Sequence, residues 1–331
     1  MVAIKKIKNR KKKISIIVPV FNEEGNIENI IHRIGLVFKI MNNYDYEIIF
    51  TDNRSTDQTF SLIEAFSEKF DHIKAVRFSR NFGYQKSIYS GYLLASGNAV
   101  IQIDGDLQDP PELIPDLIHL WEKGNKIVYG IRKKRKEGYL ITFLRKLFYR
   151  FINWLSEDEL PLDAGDFRLV DREVVEKTMK YSKSSSPYIR GQLAIAGFHQ
   201  IGYEYERNAR EFGESKFNLR KLVLLAFDGI INHSIKPLRM ASFFALILSI
   251  FLILATLLYI IGKLIFGSIW PSGFATTTVL ILLGILFNAL FLGILGEYIG
   301  RMFLEIKKGP FVVVEDSINF SENEIEKLYN K

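Results

Sequence analysis

An α/β domain on a mainly parallel sheet, followed by a two-helix transmembrane hairpin, is the fold class this sequence predicts. Three observations carry it. Short β-branched runs alternate with helical patterns from residue 14 to about residue 130. Several of those runs end abruptly in polar turns that hold carboxylates, as in Ile101-Gln102-Ile103-Asp104-Gly105-Asp106. Near the C-terminus, two stretches lack charge over membrane-spanning lengths.

The strands read Ile14–Val20, Glu47–Asp52, Ile73–Phe78, Ala99–Ile103 and Ile127–Tyr129, with helical patterns over Gly25–Ile40, Asp57–Phe70, Tyr84–Ala95 and Pro111–Lys123 between them. A β-α-β-α series of this kind implies a parallel sheet covered on both faces. No G-x-G-x-x-G follows the first strand, which argues against a dinucleotide-binding domain. Ligands of such sheets bind beyond the carboxyl ends of the strands. Phe21–Glu23, Asp52–Ser55 and Asp104–Asp106 all fall at that edge.

Ala241 to Gly262 and Pro271 to Gly296 are the uncharged stretches. Each exceeds the roughly 20 residues that span about 30 Å of hydrocarbon. Arg220, Lys221, Lys236 and Arg239 precede the first, and Arg301, Lys307 and Lys308 follow the second, whereas the connecting loop holds Lys263. The positive-inside rule then places both termini in the cytoplasm. Trp270 and Tyr259 suit the far interface. Gly296 and Gly300, and Ala289 and Gly293, are small pairs that permit close helix approach, within the hairpin or between protomers of a homo-oligomer. Tyr139 to Leu155 and Phe217 to Ile231 mix aromatics and leucines with basic residues and read as interfacial helices. Phe311 to Glu315 reads as a strand added to a sheet edge, of its own or of a neighbouring protomer. The expected divisions are a basic tail (1–13), a catalytic domain (14–210), a juxtamembrane segment (211–238), two spans (239–300) and a cytoplasmic tail (301–331).

The 331 residues carry a formal charge of +7, with cations clustered at Lys5 to Lys13 and at Arg132 to Lys136. No nucleic-acid-binding signature accompanies these clusters, so an anionic membrane is the expected partner and nucleic acid is not. Cysteine is absent, which excludes disulfides and thiolate chemistry. The five histidines have no metal-ligand spacing. The basic start does not introduce a signal peptide, because the apolar run that follows is short and contains Pro19.

Asp104 and Asp106, one residue apart at the mouth of a buried strand, repel each other unless they share a cation. A hard divalent ion on one or two carboxylates, with its other positions open, suits a diphosphate.

Ser15-Ile16-Ile17-Val18-Pro19-Val20-Phe21-Asn22-Glu23 resembles the opening strand of glycosyltransferase family 2, inverting enzymes with the GT-A fold. Asp52-Asn53-Arg54-Ser55-Thr56-Asp57 resembles the family's D-D-G-S-x-D turn. Ser79 to Gly83, Asp104 to Glu112 and Gly165 to Leu169 look like its polyprenyl-phosphate branch, and two C-terminal spans bring the bactoprenol glucosyltransferase type nearest. The likeness covers residues 14 to 310. It implies that Pro19, Phe21 and Glu23 line a nucleoside pocket and that Asp52 accepts from the base. It implies that Asp104 and Asp106 hold Mg²⁺ or Mn²⁺ against the diphosphate, with Arg80 and Lys86 near the nucleotide. Arg207, Arg210, Ser215 and Lys216 resemble the loop that binds the acceptor phosphate. The chain departs from the pattern at Asn53 and Arg54, where Asp and Gly are usual.

The implied reaction is inverting transfer of a hexose, glucose from UDP-glucose, to a polyprenyl phosphate at the cytoplasmic face. A monoalkyl phosphate is largely dianionic at neutral pH and needs no strong base. Asp163 and Asp166 are the candidates to orient the acceptor or take a proton. One rival is a processive polysaccharide synthase, but Gln192 is followed by Leu193-Ala194-Ile195-Ala196 rather than by x-x-R-W, and two spans are few. Another is a non-catalytic sugar-nucleotide-binding scaffold, against which both metal-site aspartates argue. A homo-oligomer, up to a tetramer, is expected.

Overall fold

The computed structural model describes residues 11–132, 164–179, 187–207, 236–267, 273–307 and 310–329. Among them the chain runs β1 (Lys12–Val20), α1 (Ile27–Ile40), β2 (Tyr44–Asp52), α2 (Thr59–Ser67), β3 (Ile73–Phe78), α3 (Tyr84–Leu94) and β4 (Ala99–Gln102). A 3₁₀ turn (Pro111–Leu113) leads into α4 (Ile114–Glu122), then β5 (Ile127–Arg132), β6 (Ala164–Asp171), α5 (Arg172–Thr178), α6 (Ile189–Ile195) and β7 (Gln200–Tyr205). The long helices α7 (Lys236–Phe266) and α8 (Phe274–Ile306) follow, and β8 (Val314–Ile318) and α9 (Glu322–Ile325) close the chain.

Two compact units result: one holds β1 to β7 with β8 and α9, the other α7 and α8. The sheet order is β7-β5-β6-β4-β1-β2-β3-β8. The central strands β4, β1, β2 and β3 are parallel, with Ile16 opposite both Ile48 and Ile101. Strand order reverses at β1, which is flanked by β2 on one side and β4 on the other. That is a topological switch point, the place where such sheets open a ligand crevice.

Strand alternation sorts the core. Ile14, Ile16, Val18 and Val20 point to the face covered by α1, α2 and α4. Ile17, Ile49 and Val100 point to the face covered by α3, α5 and α6. In α1 the buried residues Ile27, Ile30, Ile31, Ile34, Val37 and Phe38 follow the helical stripe. Burying each such side chain contributes about 1.5–3 kcal/mol. A Cβ on Gly91 would overlap Ile17 Cγ2, so that glycine lets α3 lie close on β1.

The mainly parallel expectation holds, with an antiparallel strand that the β-α-β series did not announce. β6 inserts antiparallel between β4 and β5, pairing Val100 with Val170 and Val128 with Leu169. β7 then extends the sheet parallel to β5. The C-terminal strand does add to a sheet edge, but the edge is that of its own chain: β8 pairs antiparallel with β3, Val314 opposite Phe78. Val312 and Leu328 pack there against Val76, Phe78 and Leu94.

In the other unit, Leu238–Phe266 and Val279–Gly300 are long and apolar enough to cross a membrane, with mean hydropathies of 2.9 and 2.6. A Cβ at Gly284, Gly293, Gly296 or Gly300 meets nothing within 4 Å among the described residues, so these glycines are not spent on contacts inside the hairpin. Residues 139–155 and 217–231, expected to be interfacial, and the loop with Trp270 lie outside the described residues.

Candidate active site

Three turns meet at the carboxyl edge of the sheet. The first follows β1. Pro19 is buried in the strand, while Phe21 emerges 37% exposed at its mouth. Asn22 takes left-handed backbone (φ 57), which Asn tolerates better than most residues. Its N–H donates to Ser55 Oγ at 2.9 Å, and its Oδ1 accepts from Thr56 N at 2.8 Å. Glu23 N donates to Thr59 Oγ1 at 2.8 Å, and Glu23 Oε2 accepts from Asn26 Nδ2 at 2.7 Å. The first turn is thereby laced to the second.

The second turn follows β2. Asp52 is fully buried, and its Oδ1 accepts from Ser55 N at 3.0 Å and from the Ser55 hydroxyl. Among the described residues its Oδ2 has no hydrogen-bond partner, and it lies 3.5 Å from Arg77 Nε. Burial raises the Asp52 pKa above the usual carboxylate range, against the pull of Ser55 and Arg77. Asn53 fills the usual acidic position with a neutral amide, and its Oδ1 accepts from Phe82 N at 3.3 Å. Arg54 fills the usual glycine position and keeps the glycine backbone (φ 66), at a cost of about 1–2 kcal/mol for an L-residue. Its guanidinium pairs with Glu315 of β8. Both partners are about 40% exposed (41% and 39%), and a pair this exposed contributes only about 0–1 kcal/mol.

The third turn follows β4. A Cβ on Gly105 would lie 3.1 Å from Val20 Cγ1 and 3.4 Å from Pro19 O, so the residue between the two aspartates must be small. Leu107 is fully buried at φ 57, a genuine backbone outlier for a bulky residue. Strain of that kind persists where surrounding structure over-determines it, commonly at functional sites. Asp104, with 20% of its side chain exposed, accepts from the Tyr84 hydroxyl and lies 4.0 Å from Arg207 Nη2. Asp106 is 7% exposed and accepts from Gln108 N at 3.2 Å. Asp109, fully buried, accepts from the Tyr205 hydroxyl, with Arg207 Nε at 3.4 Å and Arg132 Nη2 at 3.7 Å.

Negative charge is concentrated here. Burial, then Asp166 and Asp109, push Asp104 up to about 7 despite the Tyr84 hydrogen bond. Asp166, on β6, is held in the opposite direction. Burial would raise it, but Arg190 clasps both its oxygens at 2.8 Å and outweighs burial, with Arg168 at 3.7 Å and Arg132 adding to the field. The two carboxylates are therefore separated in character: one ready to be neutralised by a cation, one already neutralised.

That arrangement fits a divalent metal. Asp104 and Asp106 offer hard oxygen donors, and the high proton affinity of Asp104 marks a place where positive charge is wanted. Among the described residues no group of three or more acidic or histidine side chains could hold an ion alone, so two carboxylates would leave positions open for a diphosphate.

Of the residues singled out from sequence, Pro19, Phe21, Glu23, Asp52, Asp104, Asp106 and Asp166 lie on these turns or on strands beside them, and Arg207, just past β7, reaches Asp104 and Asp109. Arg80 is exposed and stacks on Phe82 at 4.4 Å. Lys86 donates to the carbonyl of Phe311, at 3.1 Å, rather than standing alone. Asp163, Arg210, Ser215 and Lys216 lie outside the described residues. Sequence reasoning missed Arg190, Asp109, Arg77 and Glu315. The usable signals were an Asp in a buried turn and an Arg near the carboxyl end of β3.

Known proteins with similar sequences point to a family. Residues 15–179 match glycosyl transferase family 2. The chain is 39% identical over 315 residues to the glycosyltransferase YkcC of Bacillus subtilis, covering 92% of this chain and 93% of that one. It is 37% identical over 309 residues to the SfII prophage-derived bactoprenol glucosyl transferase of Shigella flexneri, covering 92% and 98%. Among solved structures it is similar to a mannosyltransferase from Pyrobaculum calidifontis in complex with GDP-Man and Mn²⁺, at 16% identity and a TM-score of 0.46, covering 70% of this chain and 65% of that one. On its sequence relatives and on its own motifs, this chain belongs to glycosyltransferase family 2.

Proposed function

We propose that the protein transfers a hexose, glucose from UDP-glucose, to a polyprenyl phosphate such as undecaprenyl phosphate, with inversion, at the cytoplasmic face of a membrane. The observation that carries this reading is the meeting of Asp104 and Arg207 at 4.0 Å. A carboxylate suited to the donor's metal and a guanidinium suited to a phosphate sit side by side at the sheet's switch point. Likeness to bactoprenol glucosyl transferases supports a polyprenyl acceptor, and the two apolar helices support a membrane setting.

In this mechanism the nucleoside sits between Pro19, Phe21 and Asp52, whose Oδ2 accepts from the base. Asp104 and Asp106 would hold Mg²⁺ or Mn²⁺, which would supply positive charge to offset that developing on the leaving diphosphate. Arg207, braced by Asp109, and the expected partners Arg210, Ser215 and Lys216 bind the acceptor phosphate. A phosphate oxygen attacks the anomeric carbon from the face opposite the diphosphate. The new C–O bond forms as the old one breaks, and its electron pair leaves with the nucleoside diphosphate. The acceptor is already dianionic, with a second pKa near ~6, so no group need remove a proton. Asp166, ionised and held by Arg190, then orients the site rather than acting as a base. The basic flanks of the hairpin favour a cytoplasmic catalytic unit.

The test is turnover of labelled UDP-glucose with undecaprenyl phosphate, run beside UDP-galactose and GDP-mannose, for wild type and Asp104→Ala. Lipid-linked glucose made by wild type and lost in Asp104→Ala is expected. A lipid product from another donor would change the sugar, and a fully active Asp104→Ala would overturn the metal assignment.

A further inference from the structure

Glu315 stands at the rim of the donor edge on a strand that enters the sheet from the far end of the chain. Its carboxylate pairs with Arg54 and lies 3.7 Å from Arg77 Nε. Arg77 is clamped: its Nε is 3.5 Å from Asp52 Oδ2, its Nη2 donates to Ser55 O at 3.0 Å, and its guanidinium lies over Phe60 at 4.8 Å. Two atoms in this chain of charges, Asp52 Oδ2 and Arg77 Nε, are buried without a hydrogen bond among the described residues. Stability does not account for the arrangement, because the Arg54–Glu315 pair is exposed and Arg54 holds a strained backbone to reach it. The same tail grips the neighbouring turn, with Ser79 N donating to Val313 O at 2.9 Å and Lys86 Nζ to Phe311 O.

We propose that Glu315 is a positioning residue of the donor site: it fixes Arg77 and Arg54 so that Asp52 Oδ2 stays in place and free to accept from the base of a nucleoside diphosphate. This rests on the donor reading given above. Arg77 placed between two carboxylates keeps its Nε off a full hydrogen bond with either, which leaves Asp52 Oδ2 open to a ligand. Without Glu315, Arg77 is free to close on Asp52 and take the acceptor that the base needs. The C-terminal tail is on this account part of the nucleotide pocket, although the β-α-β series that builds the rest of that pocket ends well before the apolar helices.

Calorimetric titration of UDP with Mn²⁺ into the full-length protein in detergent tests this, for wild type, Glu315→Gln and Glu315→Asp. Removing a charge-assisted contact of this kind should weaken UDP binding about ten-fold in Glu315→Gln. KM for the donor rises by a similar factor, kcat changes less than about two-fold, and Glu315→Asp recovers most of the affinity. Wild-type affinity in Glu315→Gln overturns the proposal. So does an affinity loss matched by a lower melting temperature that Glu315→Asp fails to repair, which would assign Glu315 to the fold alone. A wild-type protein that binds neither UDP nor GDP overturns the donor reading instead, and this inference with it.

Discussion

Arg190 holds both carboxylate oxygens of Asp166 at 2.8 Å, beside the strand that ends in the Asp104 turn. The pairing divides labour among the site's acids, since Asp166 stays ionised while Asp104 is drawn toward protonation.

Asp166, held below the ordinary carboxylate range, should leave no limb in the pH–rate profile between about pH 5 and 9. Asp166→Asn should lower kcat by about ten-fold or more through a misplaced Arg190, and it should move any limb set by Asp104 to lower pH, because Asp166 is one of the charges that raise Asp104. A limb near pH 5 that disappears in Asp166→Asn would instead assign the residue a proton-transfer role.

Asp104 predicts the opposite sensitivity. Burial first, then Asp166 and Asp109, raise it to about 7, so protons compete with a metal for its oxygens. Mn²⁺ affinity with UDP present should rise between pH 6 and pH 8. Asp104→Asn should flatten that rise and weaken Mn²⁺ binding at both values, as read by electron paramagnetic resonance of free Mn²⁺.

Glu47 tests the opposite edge of the sheet. It is 1% exposed and accepts from Lys13 Nζ at 2.7 Å, Ser15 Oγ at 2.6 Å and Ser96 N at 2.8 Å. Burial would raise it, yet these donors outweigh burial and hold it at about 2. Its folded pKa is depressed, so its stabilisation is complete above the unfolded value of about 4.3 and is lost as pH falls toward about 2. Glu47→Gln should flatten the acid limb of the melting temperature between pH 4 and 2. Glu47→Ala should cost about 1–3 kcal/mol, because it takes the acceptor from Ser15 Oγ and Ser96 N.

Gly91→Ala should destabilise by about 1–3 kcal/mol through overlap with Ile17. Adding Ile17→Ala should recover part of that loss in chemical denaturation. Strict additivity of the two changes would show that the helix moves aside rather than clashing.

The central sheet was legible because β1 to β4 carry both signals at once, a β-branched run and a helical stripe before the next run. Helix ends drifted: the second helix was expected from Asp57, but Asp57 Oδ1 accepts from Thr59 N and Oγ1 ahead of the first turn. β6 was not legible as a strand. Arg168 sits in its middle, 4% exposed, and donates to Gly165 O at 2.9 Å. A charge inside a short run reads as loop, and no local pattern announces an antiparallel partner so far upstream. The site divides the same way. Asp52, Asp104 and Asp106 are visible because strand ends advertise them. Arg190, Arg77 and Glu315 acquire meaning only through partners 24 to 261 residues away, such as the Arg54 that Glu315 meets.

The placement of β8 bears on how the protein is made. The ribosome emits this strand after both apolar helices, so β3 waits with its outer hydrogen-bonding edge bare while the hairpin is being synthesised. Bare edges recruit other chains. The shorter the interval before β8 is made, the less nascent copies can aggregate through Val76 and Phe78, and a message truncated after the second helix would yield a product in which that hazard is permanent.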